Sequence, residues 1–132
     1  MPGPTGGAPP APLPPLPNIP LARGVTSPER GVWHVAFETG SEEIPAPRRA
    51  ALLRIGGVLN TGSVGRVTVI AEVGSGDDLS TTRRLSLARA RAVKDALVAG
   101  GLAETRIDLR PMGHRDAGQD IVAILAPTIA RP

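Results

Sequence analysis

LSLARARAVKDALVAGGLAETRIDLRPMG, residues 85–113, carries a helix, a helix stop and a strand in that order. Read from Thr82 onward, Leu85, Ala88, Ala92, Val93, Ala96 and Leu97 fall on one side. Arg83, Arg84, Arg91, Lys94 and Asp95 fall largely elsewhere, so the spacing predicts an amphipathic helix over 82–99. Gly100 and Gly101 follow as a predicted stop in the left-handed conformation that only glycine adopts cheaply. RIDLRP, residues 106–111, then reads as a strand.

Working outward, RVTVIAE at 66–72 is rich in β-branched residues and apolar on both parities, the pattern of a central strand covered on both faces. In GVWHVAF, Trp33, Val35 and Phe37 alternate with Val32, His34 and Ala36, a period-2 strand at 32–37. ETGSEEIPAP supplies a loop with acids near a helix start and prolines suited to a first turn. Leu52, Leu53, Ile55, Val58 and Leu59 continue at helical spacing, placing the first helix at 46–59. DIVAILA at 120–126 is the last strand. The order βαβαββ predicts a two-layer α/β (α+β) sandwich, with two helices on one face of a mixed four-stranded sheet.

Ten of the 15 prolines lie in residues 1–28. Prolines at that density remove backbone donors and favour extended conformations that build no core, so 1–28 is read as a proline-rich linker and 29–132 as the domain. PLPPLP at 12–17 has the P-x-x-P spacing shared by most such spacers. Trp33 and Phe37 are the only aromatic residues, so the core must be aliphatic. Fourteen of the 15 basic residues are arginine and the net charge is only +3. Acids interleave with the arginines and stacking aromatics are scarce, which argues against nucleic acid as a partner. The absence of cysteine excludes disulfides and thiolate chemistry. The chain as given shows no membrane span and neither the basic nor the apolar region of a signal peptide.

EVGSGDDLS, residues 72–80, sets Asp77 and Asp78 in a glycine-flanked loop ahead of the helix that carries Arg89. Two readings stand open. Arg89 and the loop acids form a clamp for a charged ligand, or Arg89 closes a structural ion pair with Asp77, Asp78 or Glu72 while a loop aspartate caps the helix. Arg83, Arg84 and Arg91 read as surface charges, and Ser86 as a small residue inside the helix. His34 and His114, without a third ligand at matching spacing, define no zinc site. GSGDD lacks the lysine of a phosphate loop, no nucleophile and base can be assembled, and no cofactor is called for. The chain does not read as an enzyme.

Leu85, Ser86, Arg89, Ala90, Val93, Leu97, Gly101 and Leu102 match, without a gap, the second helix of the OmpA-like domain, which this chain resembles over about residues 32–125. The resemblance implies a peptidoglycan-binding module of the bacterial envelope, located in the periplasm or at the outer membrane. It implies a ligand, the diaminopimelate of the peptide stem, held by an arginine that maps onto Arg89 and by an aspartate just after the second strand. That aspartate position is Gly74 here, leaving Asp77 or Asp78 to receive the ammonium. After Gly113 the family's glutamate and arginine are also replaced, by His114 and GQD. These departures favour an alternative in which the fold serves as a protein–protein module in an envelope or secretion assembly.

Overall fold

The computed structural model describes residues 21–74, 78–114 and 118–127. The elements are β1 (Val25–Glu29), β2 (Val32–Ala36), α1 (Ala46–Gly62), β3 (Val67–Val73), α2 (Leu79–Ala99), a short 3-10 turn (Glu104–Arg106), β4 (Ile107–His114) and β5 (Ile121–Leu125). They build a five-stranded sheet in the order β1-β2-β5-β3-β4. The pair β3–β4 is parallel, and β1–β2, β2–β5 and β3–β5 are antiparallel.

The two-helix, mixed-sheet architecture is as expected, with one strand more than the four anticipated. The added strand, β1, lies within residues assigned to the linker except for its last, Glu29. Its sequence VTSPE contains a proline, and the ladder shifts register between Thr26 and Glu29. Such an edge position tolerates a residue without an N–H. Val25 is buried opposite Val35, and Ala22 packs on the core, so folded structure begins ahead of residue 29.

Trp33, Val35 and Phe37, Val67, Val69, Ala71 and Val73, and Val122 and Ile124 are buried in one cluster with Ala51, Leu52, Ile55 and Leu59 of α1 and Ala90, Val93, Ala96 and Leu97 of α2, save that Val73 stands just outside it. β3 was expected to be covered on both faces. It instead alternates buried and half-buried residues, with Thr68, Ile70 and Glu72 on the second parity.

The helices cross closely. A Cβ added at Gly56 would overlap the Leu97 carbonyl, and one at Gly100 would overlap the Leu53 carbonyl. Gly100 itself is right-handed, with φ −81°. The left-handed residue is Gly101, φ 122°. The Gly101 N–H reaches Val98 and the Leu102 N–H reaches Leu97, the two bonds of a Schellman stop. Of the two glycines read as a stop, one therefore turns the chain and the other admits α1.

Candidate functional site

β5 runs antiparallel between β2 and β3, pairing Ala36 with Ile121 and Ala71 with Val122. The start of β5 thus lies beside the ends of both neighbours, and the Asp120 carbonyl accepts the Phe37 N–H at 2.8 Å. α2 brings Arg89 to this junction, where its side chain is 0% exposed. Nε donates to the Ser41 carbonyl at 2.7 Å and Nη2 to the Glu38 carbonyl at 3.0 Å. Nη1 donates to the Glu72 carbonyl at 3.3 Å and to Asp120 Oδ1 at 2.8 Å. The guanidinium also lies 5.1 Å from the centre of the Phe37 ring, within cation–π range.

One side chain therefore ties together the β2–α1 loop, the end of β3 and the start of β5. A buried guanidinium is tolerated only when its charge is paired and its nitrogens are hydrogen-bonded, and both conditions hold. Among the described residues no buried side-chain donor or acceptor lacks a partner.

Asp120 is the residue that sequence reasoning passed over. Its Oδ1 accepts the Gly74 N–H at 3.1 Å as well as Arg89 Nη1. Its side chain keeps 19% exposure. A Cβ added at Gly74 would lie 3.1 Å from Asp120 N, 3.1 Å from Oδ2 and 3.2 Å from the Gln119 carbonyl carbon. The Asp120 carboxylate thus fills the space into which a side chain at position 74 would project. The only sequence signal was an acid at the first position of the predicted last strand. Its use required knowing that β5 inserts beside the end of β3.

The loop acids follow the second open reading in one respect, the helix cap. Asp78 is exposed and caps α2, taking the Ser80 N–H at 3.2 Å and the Thr81 hydroxyl. The Thr81 hydroxyl first, and then the Ser80 N–H, hold its carboxyl below the usual aspartate range. The cap starts α2 at Leu79, three residues before the predicted start. Asp77 lies outside the described residues. Among the described residues the ion pair of Arg89 is with Asp120, and Glu72 meets Arg89 through its carbonyl.

Ser86 is buried, donates to the Arg83 carbonyl at 3.0 Å and accepts the Gly113 N–H at 2.9 Å, joining α2 to β4. Among the described residues no group of three His, Cys, Asp or Glu side chains could hold a metal ion. No helix among them is long and apolar enough to cross a membrane.

The comparisons with known proteins agree with this architecture. The model of the OmpA family matches residues 36–121. The OmpA-like domain of FopA1 from Francisella tularensis subsp. tularensis SCHU S4 superposes with a TM-score of 0.61 at 17% identity, covering 76% of this chain and 75% of that one. The peptidoglycan-associated lipoprotein from Burkholderia pseudomallei gives 0.61 at 16% identity, covering 70% and 87%. The cell wall anchor of the T6SS from Pseudomonas aeruginosa gives 0.52 at 22% identity, covering 73% and 81%. Comparison with curated protein sequences gives no significant match. With a family model spanning both helices, β3, β4 and the junction around Arg89, this chain belongs to the OmpA family.

Proposed function

We propose that the chain is a non-catalytic envelope module that docks on the peptide stem of peptidoglycan through its diaminopimelate and so tethers an envelope component to the cell wall. Family membership supports this reading, as do the solved relatives described as peptidoglycan-associated and as a cell wall anchor. The observation that carries it is the placement of Arg89, the arginine of the helix motif, against an aspartate where β2, β3 and β5 meet. Paired acid and guanidinium groups suit a zwitterionic diamino acid. The cellular setting is the periplasm or the outer membrane. Asp77 remains a proposed contributor from the β3–α2 loop, and Asp78 contributes only by leaving its cap.

Co-sedimentation of the full chain with diaminopimelate-type sacculi tests the proposal. Retention in the pellet, competed by a soluble diaminopimelate-containing tripeptide, is the expected result. Recovery in the supernatant at every protein concentration overturns it. A second reading, the same fold used as a protein–protein module, draws on the internal neutralisation of Arg89 by Asp120 and the missing side chain at Gly74. It predicts that supernatant result together with a specific protein partner.

A further inference from the structure

We infer that Asp120 is the ligand-facing group of the site, and that the site reads the ammonium of its ligand rather than a carboxylate. This inference rests on the function proposed above and specifies which end of the diamino acid the protein recognises.

Arg89 is poorly placed to present a fork to a ligand. It is 0% exposed, and four hydrogen bonds hold it to Ser41, Glu38, Glu72 and Asp120. A bidentate grip on an incoming carboxylate uses two N–H groups side by side, so it would require breaking bonds that join three segments of the fold. The positive charge is moreover matched by Asp120 at 2.8 Å.

Asp120 has the complementary property. Oδ1 is occupied by Arg89 Nη1 and the Gly74 N–H, whereas Oδ2 accepts no hydrogen bond from any described residue. The side chain is 19% exposed, so the pair meets solvent through its acid and not through its base. An ammonium arriving at Oδ2 forms a charge-assisted hydrogen bond and leaves the Arg89 network intact. Gly74 is what makes this possible. Any side chain there would come within 3.1 Å of Oδ2 and of the Asp120 N.

The test is a titration of the isotope-labelled full chain followed by NMR at the Gly74 and Asp120 amides. Three forms of one tripeptide ending in diaminopimelate serve as probes: unmodified, acetylated on the side-chain amine, and amidated on the side-chain carboxyl. The unmodified and amidated forms are expected to bind with similar affinity. The acetylated form is expected to bind at least about tenfold more weakly, the loss of one charge-assisted contact. Asp120→Asn keeps an oxygen for Gly74 and Arg89 but removes the charge, and it should lose affinity for the unmodified form to the same degree. Gly74→Asp combined with Asp120→Gly returns the acid from β3 and should recover part of it.

If amidation abolishes binding and acetylation does not, Arg89 takes the carboxylate. The inference then fails while the cell-wall reading stands. Binding by Asp120→Asn at wild-type affinity overturns the inference in the same way. If none of the three tripeptides binds the wild type, both fall together.

Discussion

Removing the Arg89 side chain should cost stability whether or not any ligand exists. Arg89→Ala deletes a guanidinium that is 0% exposed and leaves behind the carbonyls of Glu38, Ser41 and Glu72 and the Asp120 carboxylate. Deleting one partner of a buried, hydrogen-bonded ion pair costs about 3–5 kcal/mol. The lower end of that range fits here, because Asp120 is 19% exposed and recovers some hydration once its partner has gone. A domain of this size has about 5–15 kcal/mol in all, so the variant folds with a reduced margin. At a few degrees per kcal/mol the melting temperature should fall by on the order of 12–30 °C. Urea unfolding followed by the fluorescence of Trp33, which is 4% exposed, measures the change, with the denaturant slope unaltered. Arg89→Lys should fall between the two, because one ammonium on a flexible stem cannot satisfy acceptors in several directions. An Arg89→Ala protein within about 1 kcal/mol of wild type would refute the assignment, since that is the scale of an exposed ion pair.

Gly56→Ala and Gly100→Ala each drive a methyl into a backbone carbonyl of the partner helix, so each should cost at least about 1–3 kcal/mol in the same unfolding assay. Ser86→Ala leaves the Gly113 N–H without its buried acceptor, for about 1–3 kcal/mol, and should speed exchange of that amide. The lowered Asp78 carboxyl stabilises α2 fully above the ordinary aspartate range, and this contribution disappears as pH falls through the lowered value. The protection of the Ser80 and Thr82 amides against exchange, relative to the unfolded chain, should therefore fall in acid, and Asp78→Asn should remove that pH dependence while keeping a cap.

Most of the fold was legible because its signals are local. The period-2 run through Trp33, Val35 and Phe37 and the helical spacing from Leu85 to Leu97 each report a burial that the structure contains. β1 escaped because Pro28 and the proline-rich sequence before it argue against a strand, and only pairing of Val25 with Val35 overrides that local signal. β3 misled because apolar residues on the second parity report contact with neighbours of any kind. Ile70 is half-buried beside Ala123 and Arg110 of the adjoining strands, with no second helix layer among the described residues. The Arg89–Asp120 pair was invisible for a different reason. The two residues are 31 positions apart, and their meeting depends on the last strand entering between β2 and β3.

That pairing separates two demands which a motif match alone cannot separate. A helix motif that carries a buried arginine needs no ligand to be maintained, since Arg89 closes carbonyls from two segments and neutralises an acid from a third. Its presence alone is accordingly an argument about fold, and the functional reading rests on the aspartate set against it. Under the inference drawn above, recognition falls on what the arginine holds toward solvent, the Asp120 carboxylate beside Gly74. Replacing Arg89 therefore reports on stability first and on binding only through it. Asp120→Asn spares most of the network and addresses the charge that a ligand would meet. If the two variants lose binding in proportion to lost stability, the junction is structural throughout. Loss of binding by Asp120→Asn at near-normal stability instead places recognition on the acid.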